Sequence, residues 1–562
     1  MTAPVSGSRD ETAQQAQRLV AAGRRADAIG VLVGALSERR GGIDAARLLA
    51  RLLGTYRLEP SPVVEAAIRA AGEFQDLDLQ PLVRSAIDLL LAKPEWKALA
   101  AASTTDLRHR IDMGLDAGQL APFDDPLLLN ILSRGICHDV ALERILLALR
   151  ASLVSRAPGA LPAGWFRVAC ALACQTANNE YAWPAEPAEE QAVERLMERV
   201  TGAPLPEDPD FVRASMYRAP PALPRFATWR KSDLPAAARA LVAACAIGPD
   251  DGADHPIIRR LGPARDGGSR RVQAQYEENP YPRWLALNPP APGERRARLL
   301  ARCAAADRPR FEGPIDVLIA GCGTGRQAIA AALGYAPHGC ITAIDLSAAS
   351  LAYAARMARR YGAGPIEFVQ VDLLDAEQLE RDFDVIEAVG VLHHLADPIA
   401  GWRSLARRLK PGALMNVALY SERGRQDVVA ARRAIASLGI EPTPDGIRRL
   451  RRLVLDAPAG TDDWRATVRR FTDFFTLSGC HDLLFNVLEH RFTPLDVRSM
   501  LAELDLELLS VDVPAAVLAR YRARFPDDRA GLDLAHWDRF EIDNPTVFSG
   551  MIGVWCRRRP SP

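Results

Sequence analysis

The stretch Asp316-Val-Leu-Ile-Ala-Gly-Cys-Gly-Thr-Gly325 joins an apolar run directly to three glycines at alternate positions. The apolar run predicts a buried strand, and residues 326–333 predict the helix that follows it. Glycine has no Cβ, so the backbone of such a turn can approach a ligand closely. The N-terminus of the helix adds unpaired N–H groups. The stretch therefore predicts a ligand-binding turn between a strand and a helix.

Acidic residues follow the next two predicted strands at the point where each strand ends. Residues 340–344 lead into Asp345, and residues 366–371 lead into Asp372. In nucleoside-binding α/β folds, an acid about 20 residues beyond the glycines accepts hydrogen bonds from ribose hydroxyls. Ligands of these folds lie beyond the carboxyl ends of the strands, so we expect both acids beside the glycine turn.

Two further strands, residues 383–389 and 413–420, continue an alternation of strands and helices. This alternation predicts a parallel sheet that is covered by helices on both faces. Residues 506–513 and 547–556 predict a sixth and a seventh strand. The predicted fold class is α/β: a doubly wound, seven-stranded, mostly parallel, Rossmann-like sheet with an all-α N-terminal domain and helical insertions.

Composition divides the chain into five predicted segments. Residues 1–250 are rich in alanine and leucine and predict an all-helical domain, whose start has the small-residue spacing of one tetratricopeptide helix pair. Glycine, proline and aspartate in residues 248–269 predict the boundary. The other segments are a linker with an aromatic lid segment (251–310), the core (311–420), a helical insertion (421–492) and the completion of the sheet (493–562).

Five motifs occur in the order and spacing of one family. They are DVLIAGCGTG from residue 316, ITAIDLS from 341, FVQVDLLD from 368, FDVIEAVGVLHHLADP from 383 and LKPGALMNVALY from 409. The chain resembles the class I S-adenosylmethionine-dependent methyltransferases over residues 311–420 and more loosely beyond them. The resemblance implies a transferase that catalyses methylation, with S-adenosyl-L-methionine as its cofactor. The alternative is a tight turn in an α/β domain that binds no nucleotide.

The resemblance also implies which residues bind the cofactor. Gly321, Gly323 and Gly325 would line its methionine part. Asp345 would accept hydrogen bonds from both ribose hydroxyls, and Asp372 would accept from the adenine amino group, with Leu373 beside the ring. The remaining implied cofactor contacts are Thr324, Leu346, Val389 and Tyr276.

Aromatic side chains and prolines crowd residues 275–284, just before the first core strand. The prolines exclude a long helix. Aromatic faces attract cations, and a sulfonium is a cation, so the segment predicts a lid in which Tyr276 contacts the cofactor or acceptor. Tyr281 is a catalytic candidate. The alternative is that Tyr281 and Trp284 only anchor the linker to the core.

Two histidines, His393 and His394, follow the fourth core strand at the predicted mouth of the sheet. Either one of them acts as a base on the acceptor or orients it, or both only pack in the loop. Glu489, His490 and Arg491 in the insertion are candidates for the acceptor site, with buried ion pairs between helices as the alternative. Methyl transfer can also run on alignment alone, without a base.

Composition excludes several classes of partner and site. The 562 residues carry 70 basic and 70 acidic side chains, and this balance predicts no nucleic-acid partner. Nine cysteines occur without a Cys-x-x-Cys pair, which argues against a metal site and fits a reducing compartment. The sequence shows neither a signal peptide nor an apolar run of membrane-spanning length. We therefore expect a cytoplasmic protein that binds no membrane and no metal.

The order of helical domain, aromatic linker, core and insertion is similar to that of bacterial protein methyltransferases, including the rickettsial protein-lysine enzymes. This resemblance implies a lysine nitrogen of an acceptor protein, engaged through the helical domain, and allows a homodimer. Lysine must arrive as a neutral amine, so we predict a mostly apolar channel built by Tyr276, Tyr281 and Phe474 or Phe475. The alternatives are a small-molecule or natural-product methyltransferase and a non-catalytic interaction scaffold.

Overall fold

The computed structural model describes residues 7–54, 56–157, 159, 161, 164–199, 207–223, 226–245, 258–262, 267–303, 305–458 and 463–559. The chain divides into two compact units. The helical unit comprises Met1–Asp250, Trp284–Asn288 and Ile440–Cys480, and the sheet unit comprises Asp251–Arg283, Pro289–Gly439 and His481–Pro562. Much of the predicted boundary segment 248–269 lies outside the described residues.

Helices build the helical unit, as its alanine- and leucine-rich sequence predicts. One helix begins where Asp125 accepts a hydrogen bond from Leu127 N at 2.8 Å and Pro126 occupies the first turn. The α-helices are Gly7–Ala21, Arg25–Ser37, Ile43–Leu53, Pro62–Gly72, Gln80–Ala92, Pro94–Ala100, Thr104–Asp116, Pro126–Arg134, Val140–Val154, Trp165–Asn178, Pro187–Arg199, Pro209–Ser215, Phe226–Trp229, Ala236–Cys245, Pro444–Leu455 and Trp464–Val468, with 3-10 turns Pro220–Ala222 and Thr472–Phe475.

A buried ion pair holds the segment Ile440–Cys480 in the helical unit. The Arg451 side chain is 0 % exposed and pairs with Glu143, whose side chain is 1 % exposed. Asn179 O also accepts a hydrogen bond from Leu477 N at 3.2 Å. The predicted insertion 421–492 is therefore divided between the two units, because its middle part packs against helices that are distant in sequence.

The sheet unit contains one sheet of eight strands. They are β1 (Arg259–Leu261), β2 (Ile315–Ala320), β3 (Gly339–Asp345), β4 (Ile366–Val371), β5 (Phe383–Val389), β6 (Leu409–Leu419), β7 (Leu506–Val511) and β8 (Ile552–Arg558). Their order is β1-β4-β3-β2-β5-β6-β8-β7. The pairs up to β6 are parallel, whereas β8 is antiparallel to both β6 and β7. The predicted α/β class is confirmed.

The strand β1 corrects the predicted count of seven. Its three residues pair in parallel with β4 at the edge of the sheet, with Arg259 opposite Val369. Arg259 and Arg260 are exposed, so the strand shows no apolar alternation. Backbone pairing alone makes it a strand, and the residue types carry no signal for it.

Nine helices lie wholly within the described part of the sheet unit: Gly267–Glu278, Glu294–Arg302, Arg326–Tyr335, Ala348–Arg360, Pro398–Ala406, Gln426–Ser437, Pro494–Glu503, Ala515–Arg524 and Leu534–Asp543. A tenth, Leu477–Phe485, is divided by the unit boundary, and 3-10 turns occupy Ala305–Phe311, Leu373–Leu379 and Leu392–His394. The strand order reverses between β2 and β5, which is where ligands of such sheets bind.

Among the described residues, no helix has both the length and the apolar character needed to cross a membrane.

Candidate active site

The glycine turn after β2 is built from backbone that other residues rarely adopt. Gly321 has φ +68° and Gly325 has φ +85°. A Cβ at Gly321 would collide with the Val391 side chain, and a Cβ at Gly325 would collide with Ala354 of the helix Ala348–Arg360. These two glycines are therefore required by the left-handed backbone and by close packing.

The middle glycine of the turn lies against the aromatic segment. A Cβ on Gly323, whose φ is +51°, would lie 2.5 Å from Tyr281 O. Thr324 donates from its N to Tyr281 O at 3.3 Å and from its hydroxyl to Pro282 O at 2.6 Å. The segment is thus anchored on the turn through its carbonyl groups, as the anchoring alternative predicts for Tyr281. Trp284 belongs to the helical unit, where it is buried.

The carboxylate of Asp345, at the end of β3, supports the same turn. One oxygen accepts from Gly323 N at 2.8 Å and the other accepts from Ser347 N at 2.9 Å. Burial raises the pKa of Asp345, although these backbone N–H groups oppose the shift and the charge of Glu277 adds to it. A carboxylate has about four lone-pair sites in all, so Asp345 can still accept from a ligand hydroxyl.

The other implied cofactor contacts lie at the same edge of the sheet. Asp372 is buried and accepts from Leu374 N at 3.0 Å, which caps the turn that begins at Leu373. Leu346 O accepts from two glutamine side chains, Gln273 at 3.1 Å and Gln370 at 3.0 Å. Val389 is the last residue of β5 and is half-buried.

The two histidines differ in what their rings can do. His393 is fully buried and packs against the tilted ring of Tyr420, with ring centroids 3.9 Å apart. Neither of its ring nitrogens has a hydrogen-bond partner among the described residues. Burial holds the pKa of His393 well below its ordinary value, and His394, Arg425 and His490 add to this shift. His393 is therefore a neutral ring that contacts no solvent.

One ring nitrogen of His394 forms a hydrogen bond within the protein, and the other can accept a proton. Its Nδ1 lies 2.7 Å from Leu488 O. A carbonyl oxygen only accepts, so Nδ1 carries the hydrogen, and in the neutral ring Nε2 carries the lone pair. This arrangement gives His394 the form that a proton acceptor needs.

Of the three acceptor-site candidates in the insertion, Glu489 has a buried carboxylate that forms ion pairs. Glu489 is paired with Arg425 at 2.7 Å and with Arg432 at 3.2 Å, and Arg491 lies 3.8 Å away. His490 N donates to His393 O at 2.8 Å. Glu489 and Arg491 thus form the ion pairs that the alternative describes, and His490 fixes the loop of the histidines.

A hydrogen-bonded group around Tyr276 was not indicated by the sequence analysis. The Tyr276 hydroxyl donates to Asp482 Oδ1 at 2.7 Å, and Asn486 Nδ2 donates to the same hydroxyl at 3.0 Å and to Asp482 Oδ1 at 3.1 Å. Burial raises the pKa of Tyr276 well above its ordinary value, and the charge of Asp482 adds to this. The only local signal is the spacing of Asp482 and Asn486 by four residues, and the helix Leu477–Phe485 ends one residue before Asn486.

Phe474 and Phe475 correct the predicted channel. Both lie in the helical unit, with 0 % and 1 % of their surface exposed, and the Arg451 guanidinium lies 4.4 Å from the ring centre of Phe474. Rings that are almost completely buried cannot line an open channel. They are core residues of the helical unit.

Comparison with known families matches residues 318–415 to a family model described as a methyltransferase domain. The match covers the glycine turn, Asp345, Asp372 and both histidines. Residues 318–415 form a methyltransferase domain. The match agrees with the α/β sheet and with the five motifs, which resemble those of the S-adenosylmethionine-dependent class.

Two curated relatives each match part of this chain. An uncharacterised protein of Synechococcus is 38% identical over 182 residues, which are 31% of this chain and 42% of the relative. The ubiquinone biosynthesis O-methyltransferase of Caulobacter vibrioides is 32% identical over 165 residues, which are 28% of this chain and 56% of the relative. The chain thus spans about half the length of these relatives.

The structure of PKMT2 from Rickettsia typhi aligns with 15% identity and a TM-score of 0.34, over 44% of this chain and 49% of that chain.

Proposed function

We propose that the methyltransferase domain binds S-adenosylmethionine at the carboxyl ends of β2, β3 and β4, and that the chain transfers its methyl group to a nitrogen of an acceptor protein, with lysine favoured. The observation that carries the proposal is the glycine turn with Asp345 beneath it. The three left-handed glycines set the course of the turn at the strand ends, and the carboxylate that holds the turn can still accept from a ligand.

The residues at this edge fit the cofactor part by part. In this proposal the glycines receive the methionine part, and Asp345 accepts from the ribose hydroxyls. Asp372 accepts from the adenine amino group, with Leu373 beside the ring, and Thr324, Leu346, Val389 and Tyr276 complete the contacts. When bound, the cofactor supplies a methyl group on a positively charged sulfur, and the protein aligns the acceptor with it.

Replacing Asp345 with alanine tests the cofactor site. The variant loses the acceptor for the ribose hydroxyls and the support of Gly323 N, so we expect S-adenosylmethionine binding to weaken by about 1.5–3 kcal/mol. Asp345→Asn keeps one acceptor oxygen and serves as the matched control, with a smaller expected loss. Titration calorimetry measures both, and an unchanged affinity of Asp345→Ala would remove this assignment.

A protein acceptor is supported by the extent of the helical unit, which is more chain than the recognition of a small metabolite requires. In this proposal the helical unit recruits the acceptor, and the sheet unit carries out the transfer. The buried, aromatic surroundings of His394 suit a lysine side chain, because burial favours its neutral form.

The second candidate is a small-molecule acceptor, methylated on oxygen. It is favoured by the matching relative from Caulobacter, whose name describes an O-methyltransferase. A hydroxyl acceptor must lose a proton, and Nε2 of His394 is placed to take one.

A labelling experiment separates the two acceptor classes. The full chain is incubated with methyl-labelled S-adenosylmethionine and cell extract, and the products are separated by size exclusion. We expect the label in the protein fraction and, after acid hydrolysis, in methyllysine. Extract alone and extract with the Gly323→Val variant give the background. Label that is confined to the small-molecule fraction contradicts the protein acceptor.

A further inference from the structure

Two neighbouring side chains orient the Asp482 carboxylate, and both of them donate to the same oxygen. Its Oδ1 accepts from the Tyr276 hydroxyl at 2.7 Å and from Asn486 Nδ2 at 3.1 Å. Within the described part of the chain, no group donates to Oδ2 and no cation forms a salt bridge with Asp482. Asp482 is only 5% exposed. A buried carboxylate is stable when a cation or a set of donors completes it.

The nearby arginines already have their own partner. Arg425 and Arg432 both pair with Glu489, at 2.7 and 3.2 Å. The Arg425 guanidinium also lies over the Tyr420 ring, 3.8 Å from its centre. The charge of Asp482 acts on both arginines, but neither forms a salt bridge with it, so its Oδ2 is open to a donor group of a ligand.

His394 also lies near Tyr276. The ring centroids of His394 and Tyr276 are 6.4 Å apart, and those of His394 and Tyr420 are 5.9 Å apart, both edge to face. The Leu488 carbonyl holds Nδ1–H, so Nε2 is the acceptor, whereas the neighbouring His393 ring is sealed from solvent. Tyr276 thus contacts a fixed carboxylate through its hydroxyl and faces a fixed imidazole with its ring.

This group lies beside the proposed cofactor site. Tyr276 O accepts from the Ser347 hydroxyl at 3.0 Å, two residues after Asp345. Val391, three residues before His394, packs against Gly321. The Ser347 hydroxyl and the Val391 side chain therefore connect the segments of Tyr276 and His394 to the cofactor edge of the sheet.

We infer that Asp482 and His394 form the acceptor subsite and that the ligand of this subsite is a primary aliphatic amine. The inference rests on the proposed function and names its substrate class. Asp482 Oδ2 accepts a hydrogen bond from the arriving ammonium group, and Nε2 of His394 takes the proton that the nitrogen must lose. Tyr276 and Asn486 are positioning residues that hold Asp482.

The transfer balances in charge and in bonds. The ammonium passes one proton to His394 Nε2, which becomes imidazolium and later releases the proton to solvent. The neutral amine forms a bond to the methyl carbon while the bond between that carbon and the cofactor sulfur breaks, and the sulfur keeps that electron pair. The product is a methylated ammonium, which carries the positive charge that the sulfonium has lost.

The test uses the full chain loaded with S-adenosylmethionine and n-butylamine hydrochloride as the probe, at constant ionic strength. We expect the wild type to methylate n-butylamine. Asp482→Asn should raise the KM for the amine roughly tenfold or more, because a neutral amide replaces the charged acceptor. Asp528→Asn is the matched control: Asp528 also accepts from a tyrosine hydroxyl, that of Tyr521 at 2.6 Å, but lies outside this group.

The histidine is tested by His394→Asn, whose amide keeps a donor for Leu488 O and lacks Nε2. We expect kcat to fall about a hundredfold with little change in KM. Calorimetry of cofactor binding is the second measurement: wild-type protein that does not bind S-adenosylmethionine contradicts the proposed function itself. If the cofactor binds, either no methylation of n-butylamine by the wild type or an unchanged KM for Asp482→Asn overturns the subsite.

Discussion

Replacing Gly323 with valine is expected to abolish S-adenosylmethionine binding while the sheet unit stays folded. Any Cβ at this position would lie 2.5 Å from Tyr281 O and 3.5 Å from Pro282 Cδ, so the aromatic segment must move away from the turn. A β-branched residue is also strained at φ +51°. Calorimetry of cofactor binding, together with circular dichroism to check folding, measures the result.

Gly362→Val is the matched control for this variant. Gly362 has φ +54°, nearly the same backbone conformation, but a Cβ there meets no atom within 4 Å. Its variant therefore carries the backbone strain without the collision, and we expect its cofactor affinity to equal that of the wild type. A folded Gly323→Val protein with wild-type affinity would show that the turn is not the binding site.

Replacing Arg451 with methionine is expected to lower the free energy of unfolding of the helical unit by about 3–5 kcal/mol. The change leaves the carboxyl of Glu143 buried without its cation. Burial raises the pKa of Glu143, and Arg451 is the main group that opposes this shift, so the variant has to bury a protonated or an unpaired acid. Hydrogen exchange of the helix Val140–Val154 reports the opening free energy.

Two further variants separate the ion pair from general effects of the substitution. The double variant Arg451→Met/Glu143→Leu removes both charges, and we expect it to recover most of the lost stability. Arg24→Met breaks an exposed pair with Asp27 at 2.8 Å and should cost less than about 1 kcal/mol. Equal exchange rates for Arg451→Met and wild type would contradict a role of the pair in holding residues 440–480.

The predicted strands of the core and of the C-terminal part are all present in the sheet. Apolar runs flanked by turns identify β2 to β5 to within about two residues, since buried parallel strands must be apolar on both faces. β8 begins at Ile552, five residues later than predicted, because turn and loop residues precede it. The edge strand β1 has no apolar run, so the sequence does not predict it.

Some residues of the candidate site can also be predicted from the sequence, and others cannot. Gly321, Asp345 and Asp372 follow their strands directly, so the sequence places them at one edge as soon as the strands are assigned. The roles given to them remain predictions. Asp482 accepts a hydrogen bond from Tyr276, which is 206 residues away in the sequence. No local sequence pattern predicts that hydrogen bond.

The α/β class, the five core strands and the turn in which glycine is required can be predicted from the amino-acid sequence, because burial and left-handed backbone are conditions that each short segment must satisfy on its own. The folded arrangement of distant segments was needed to place residues 440–480 in the helical unit, to leave Nε2 of His394 available, and to bring Asp482 to Tyr276. These features rest on single ion pairs and hydrogen bonds between distant segments, and such contacts leave no periodicity in a sequence.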